Sequence, residues 1–305
     1  MNSGGFSLQS ATLTVAVIFA LAAVAAVIRI RMVEPISVKP FPNAKRPIVM
    51  AHRGGMALWP ENTLYAFEHA ARIGVDVMEI DVRQTKDGEI VVIHDEVVDR
   101  VSNGKGAVAD KTLEELKSLD FAYNFMKDAG GKPELRGTGV TIGTLKEVFK
   151  SLPDMYFNID IKVNSTAFAR DVLELVRKEG MLEKVVIGSF YDNIVNVVNS
   201  EAGEFTTSAA AREAWIIFLL NKIGLGRLHQ PTGVAYQIPV THKGLDVVTP
   251  SFVRAAHSLG QDIHVWTIDD PVEIRRLLEM GVDGIVTNRP DLAVGVVKEF
   301  RQLAK

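Results

Sequence analysis

Four short segments carry most of the reactive side chains: Ala51-His52-Arg53-Gly54, Pro60-Glu61-Asn62-Thr63, Glu79-Ile80-Asp81 and His94-Asp95, all close to strand-like apolar runs. Imidazole titrates nearest neutral pH, so one histidine can accept a proton while another donates one. Arginine grips phosphate oxygens, and carboxylates hold a hard divalent cation. Together they form an inventory for phosphodiester chemistry. Strand alternation sharpens the pattern, because Glu79 and Asp81 fall on one face with Ile80 and Val82 on the other. Asn158, Asp160 and Lys162 likewise alternate with Ile159 and Ile161. Three inward carboxylates and one lysine cannot form a dry core, since an unpaired buried charge is strongly unfavourable. A cation held by Glu79, Asp81 and Asp160 removes that difficulty and leaves Lys162 for a phosphate oxygen or the ligand carboxylates. A buried ion-pair network, Asp160 with Lys162 or Glu79 with Arg83, is the alternative use of these residues. The remaining histidines, His69, His229, His242, His257 and His264, read as structural.

Composition narrows the field. With 34 basic and 37 acidic residues in 305, and a formal net charge of −3, the chain offers no broad positive field for nucleic acid. It has no cysteine, which excludes thiolate catalysis, disulfides and Cys-bound zinc. Any metal is therefore held by oxygen and imidazole, a donor set suited to Mg²⁺ or Ca²⁺.

The elements that must position these residues alternate. Strand-like runs cover Ile48 to Ala51, Val77 to Val82, Ile90 to Ile93, Tyr156 to Ile161, Lys184 to Ser189, Gly233 to Gln237, Asp246 to Val248, Ile263 to Ile268 and Gly284 to Thr287, with helical patterns between. Thr112 with Glu115, Thr144 with Glu147, and Asp270-Pro271 with Glu273 match capping boxes, while Gly74, Gly180 and Gly281 mark helix ends. Repeated βα units of this length most economically close as a (β/α)8 TIM barrel, with a doubly wound open sheet as the other solution. Polar clusters at the carboxyl ends of many strands favour the barrel.

The order of these motifs resembles the glycerophosphodiester phosphodiesterase family from Ile48 to about Leu292. The resemblance runs through His52-Arg53-Gly54, Glu61-Asn62-Thr63, Glu79-x-Asp81, His94-Asp95, Asp160-x-Lys162, Ser189-Phe190, Val265-Trp266-Thr267 and Gly281-Val282-Asp283-Gly284. It implies a metal-dependent phosphoric diester hydrolase in which Glu79, Asp81 and Asp160 hold the cation and His52 and His94 are the acid–base pair. It further implies that Arg53 and Lys162 bind phosphate and that Glu61 borders the metal or orients His52. Trp266 would wall the pocket, although its apolar neighbours also suit a core tryptophan. Four positions depart from the family pattern: Asp160 replaces glutamate, Ile268-Asp269 replaces valine-asparagine, and Gly143 replaces proline. The polar loop Glu96 to Ala109 matches an insertion that shapes the family's substrate cleft.

Phe6 to Ile28 carries no charge and matches the ~20 residues that span a bilayer. It reads as a transmembrane anchor, with a cleaved signal peptide as the alternative. The chain then divides into a single-pass anchor over 1–31, a proline-rich linker over 32–46, and a catalytic barrel over 47–305. Arg29 and Arg31 after the helix place that barrel on the cytoplasmic side. An anchored enzyme with the apolar run Trp215 to Leu228 suits a lipid, and the pattern resembles the anchored lysophospholipase D branch of the family, partly through Gln237-Ile238-Pro239. Water-soluble glycerophosphodiesters are the alternative substrates, and a non-catalytic, membrane-tethered phospholipid-binding barrel is the alternative function.

Overall fold

The computed structural model describes residues 8–127, 132–201 and 203–303. Among these, eight parallel strands lie in the order β6-β5-β4-β2-β1-β11-β10-β7. They are β1 (Ile48–His52), β2 (Val77–Gln84), β4 (Tyr156–Ile161), β5 (Val185–Gly188), β6 (Thr206–Thr207), β7 (Ala235–Pro239), β10 (Asp262–Trp266) and β11 (Gly284–Thr287). Beside the two ends of this sequence of strands, Val234 N donates to Thr207 O at 2.8 Å and Ala209 N to Ala235 O at 2.8 Å, which draws the sheet round into a barrel. Helices α2 (Leu64–Arg72), α4 (Leu145–Ser151), α5 (Thr166–Lys178), α6 (Asp192–Ser200), α7 (Ala211–Lys222), α8 (Pro250–Ser258), α9 (Pro271–Glu279) and α10 (Pro290–Leu303) alternate with the strands. The short α3 (Leu113–Lys117) sits in the connection after β3 (Ile90–Val92), and that strand pairs antiparallel with β2 outside the ring.

Local chemistry explains most of these boundaries. Thr112 and Thr144 each cap a helix through the backbone N–H of Glu115 or Glu147, whose carboxylates reach back in full capping boxes. Asp270 caps α9, but Glu273 is turned to Arg276 at 2.7 and 2.6 Å instead of closing a box. Gly74, Gly180 and Gly281 adopt the left-handed conformation after α2, α5 and α9. Two strand assignments shift. The run Asp246 to Val248 supplies no barrel strand, because Leu245–Asp246 (β9) folds back on Thr241–His242 (β8) as a hairpin. The barrel strand missing from the sequence reading is β6, only two residues long.

Two readings of the N-terminal region are corrected. Phe6 lies outside the described residues, and α1 (Leu8–Met32) forms a helix. Among the described residues no helix is long and apolar enough to cross a membrane. Arg29 and Arg31 lie in the last turn of α1. The single-pass membrane localisation, with its membrane partner and cytoplasmic orientation, is therefore not upheld. The segment read as a linker is packed under the barrel. Ile36 N donates to Leu259 O at 2.8 Å, while Lys39 and Arg46 pair with Asp262 at 2.8 and 2.9 Å. Phe41 is buried with Ile48, Val77 and Val234 at the starts of strands, its ring centroid 5.5 Å from that of Tyr156. Phe41→Ala is expected to cost about 3 kcal/mol through the cavity it leaves, read as a lower urea midpoint at unchanged slope; a parental midpoint would mean that the segment is not seated in the floor.

Candidate active site

Strand register builds the site. Parallel pairing sets His52 beside Glu79, Glu79 beside Asn158, and Asp81 beside Asp160. Asp160 then pairs with Gly188, where a Cβ would come within 3.0 Å of Ser208 Oγ, so the missing side chain keeps this row open. After β1 the chain turns sharply, with Arg53 at φ +52° and Gly54 at φ +81°. A Cβ on Gly54 would lie 2.8 Å from Phe67, which reserves the position for glycine. The turn aims Arg53 N at Glu79 Oε2, 2.9 Å away.

One cavity of about 480 Å³ gathers His52, Arg53, Glu79, Asp81, His94, Asp160, Lys162 and Trp266. Lys162 Nζ lies 2.6 Å from Asp160 Oδ2 and 3.0 Å from Asp81 Oδ1. Asp81 also accepts from Asn62 Nδ2 at 2.9 Å, with Arg53 Nε at 3.4 Å. Arg83 Nε donates to His94 O at 2.9 Å, so the sequence alternative of a Glu79–Arg83 pair does not form, whereas the Asp160–Lys162 pair does.

The surroundings of the three carboxylates shift them in different directions. Burial and the charge of Asp81 push the Glu79 carboxyl well above its usual range. Burial pushes Asp160 up as well. Asp81 is equally enclosed, yet Lys162 and Arg53 outweigh burial and hold it low. Burial alone would depress Lys162, but Asp81 and Asp160 raise it. Negative charge is thus in surplus. The donors suit a hard cation: all three groups are oxygen ligands, and Asp160 Oδ1 is buried without a hydrogen-bond partner. As arranged, the ammonium of Lys162 stands between two of them, and among the described residues no three His, Cys, Asp or Glu side chains converge as a metal-holding group.

Glu61 does not join this set. It lies outside the cavity lining, with Arg53 Nη1 at 2.9 Å and Arg100 on both carboxylate oxygens at 2.7 Å. Although burial pushes Glu61 up, these arginines bring it below its ordinary value. Arg100 also donates to Asp95 Oδ2 at 2.7 Å, and Asp95 Oδ1 lies 2.8 Å from His94 Nδ1. The loop after β3 is thereby clamped over the first turn. His52 is held differently, its Nδ1 2.6 Å from Asn288 Oδ1. Burial and Arg53 lower the pKa of His52.

Much of the remaining wall is apolar, beside the polar Asn158, Ser189, Ser208, Gln237 and Thr267. Ala211, Ala214, Trp215 and Phe218 of α7 face Phe190, Pro239 and Val247 across the cavity. Buried Glu213 anchors this helix by accepting from Thr232 N and Gln261 Nε2, both at 3.1 Å. Leu219, from the same apolar run, points outward and is 61 % exposed. Trp266 meets Phe190 edge-on at 6.4 Å and lines the cavity, and it also packs against the core cluster of Ile48, Met50 and Val77. Sequence reasoning missed Asn288 and also His242, which lines the cavity against Trp215 at 5.2 Å.

The glycerophosphoryl diester phosphodiesterase family model matches residues 52–292. A glycerophosphodiester phosphodiesterase of Caldanaerobacter subterraneus subsp. tengcongensis is 32 % identical over 261 residues, covering 83 % of this chain and 99 % of the relative. The human lysophospholipase D GDPD1 is 26 % identical, over 79 % of this chain and 83 % of that protein. Among solved structures, an Oleispira antarctica phosphodiesterase in complex with the product sn-glycerol-3-phosphate shares the fold at a TM-score of 0.67 and 22 % identity, covering 83 % and 97 % of the two chains.

Asp95 provides a pH-dependent test of the clamp. Burial raises its pKa, but Arg100 and His94 prevail and bring it to about 2. A depressed carboxyl contributes stability above its unfolded value of 3.8, and this is lost as pH falls towards about 2. A carbon-13 titration of the Asp95 carboxyl is expected to give a midpoint near this low value and a higher one in Arg100→Ala; identical midpoints would rule out the clamp.

Proposed function

Because the chain belongs to the glycerophosphoryl diester phosphodiesterase family, and is a phosphoric diester hydrolase acting on glycerophosphodiesters, we propose that its substrates are lysophospholipids, from which it releases the head-group alcohol. One observation carries this reading: the cavity that holds both histidines and the carboxylates continues along the apolar wall of α7, where Trp215 and Phe218 can receive an alkyl chain. Its similarity to a protein named lysophospholipase D supports the same class.

The proposed reaction is an in-line displacement at phosphorus. Water forms a new P–O bond as the bond to the head-group oxygen breaks, leaving the phosphate on the glycerol. His52, favoured in its neutral form by burial, takes the proton of the attacking water. His94, oriented by Asp95, hands a proton to the departing alcohol oxygen. Arg53 and Lys162 neutralise the non-bridging oxygens, and Trp266 bounds the space for the substrate. Glu79, Asp81 and Asp160 would hold a divalent cation, Mg²⁺ or Ca²⁺. That ion supplies Lewis-acid polarisation of the phosphoryl group when bound. Glu61, committed to two arginines, is left out of this ligand set.

The apolar wall separates the lipid reading from the alternative of a small, water-soluble diester. Phe218→Ser is expected to lower kcat/KM for lysophosphatidylcholine by about tenfold or more while sparing glycerophosphocholine, and outward-facing Leu219→Ser should spare both. Equal losses on the two substrates in Phe218→Ser would favour the soluble diester.

A further inference from the structure

We propose that Asp269 and Asn288 are positioning residues that hold His52 in the tautomer with its proton on Nδ1 and its lone pair on Nε2, on the cavity side. Neither residue lines the cavity. Asp269 follows β10, Asn288 follows β11, and β11 pairs with β1, which carries His52. The two loops therefore meet behind the imidazole.

Hydrogen-bond direction fixes the arrangement. The Asp269 carboxylate receives three donors: Thr287 Oγ1 at 2.9 Å and Asn288 N at 2.7 Å on Oδ1, and Asn288 Nδ2 at 2.8 Å on Oδ2. The oxygen and nitrogen of an amide side chain are otherwise interchangeable, so a neighbour must decide which way it points. A carboxylate accepts and does not donate, so Nδ2 of Asn288 must face Asp269. Oδ1 is then turned to His52 Nδ1 at 2.6 Å. An amide oxygen also only accepts, so Nδ1 must carry the proton. In neutral imidazole this leaves Nε2 bare, 4.0 Å from Glu79 Oε2 at the cavity wall. Without Asp269, nothing would stop the Asn288 amide from turning over. Its NH₂ would then face Nδ1, and the ring proton would move to Nε2, where it blocks proton acceptance. A triad histidine loses turnover in this way when its orienting carboxylate is replaced by an amide.

The consequence for turnover rests on the proposed role of His52, but the tautomer can be read without it. Nitrogen-15 spectra of histidine-labelled full-length protein, with the His52 signals identified by their loss in His52→Gln, should show a protonated Nδ1 and a bare Nε2. In Asp269→Ala and Asn288→Ala this pattern should be reversed or averaged, with kcat about 10²-fold lower and KM close to parental. The exchanged pair D269N/N288D should restore both the spectrum and kcat. In that pair, the amide placed at 269 donates to the carboxylate placed at 288, which accepts from His52 Nδ1. If either alanine variant does not fold, D269N alone and the exchanged pair make the same comparison. Parental ring shifts in the single variants would overturn the positioning claim. Altered shifts with parental turnover would uphold it and overturn the role of His52 instead.

Discussion

Surplus negative charge buried at the mouth of the barrel is the constraint on which the rest of the structure depends. Glu79, Asp81 and Asp160 project from adjacent strands, and Lys162 with Arg53 answers them incompletely, since Arg53 is shared with Glu61. Burial, and after it the charge of Asp81, keeps the Glu79 carboxyl above its ordinary range. Charge is expensive to bury, so such a cluster persists in a fold when its geometry is imposed by something stronger. Here that is the β2–β4 ladder, whose apolar residues are held in the core beneath the helices. A strand cannot shift by one residue to relieve the repulsion without driving Ile80, Val82, Ile159 and Ile161 into the cavity.

Around this cluster the two histidines are held by unlike partners. An amide stands behind His52 and a carboxylate behind His94, and each partner is fixed by a further charged group, Asp269 or Arg100. This asymmetry gives two chemically identical side chains different roles in the proposed reaction. It also couples the loops. The clamp of Arg100 on Glu61 and Asp95 ties the loop after β3 to the turn after β1, and Asn288 ties the loop after β11 to the same histidine-bearing strand. The apolar side of the cavity depends on different forces, with α7 anchored by buried Glu213 and filled in by Trp215 and Phe218.

Much of this was legible in the sequence because it depends on period and type. Alternation along Val77–Gln84 and Tyr156–Ile161 told which side chains face inward, and both threonine-led capping boxes are local chemistry. What stayed hidden depends on partners far along the chain. Thr206–Thr207 is too short to carry a period, and its place in the barrel is set by β5. Glu61 looks like a metal ligand until Arg100, 39 residues later, takes both its oxygens. Asn288 lies 236 residues from His52, with no spacing rule to join them. The proline-rich segment before β1 read as a spacer because Phe41 alone does not announce a burial site; the open floor of the barrel provides it. Length and apolarity suggested a membrane span in residues 6–28, and no described helix meets that requirement.

The charge surplus can be measured directly by titrating chelator-treated, full-length protein with Ca²⁺ in a calorimeter, using two buffers of different protonation enthalpy. If the cluster draws in the proposed cation, the protein should bind it with release of a proton from Glu79, and Glu79→Gln should bind more weakly and release none. Failure to bind, or binding in Glu79→Gln with parental affinity and proton release, would contradict the account.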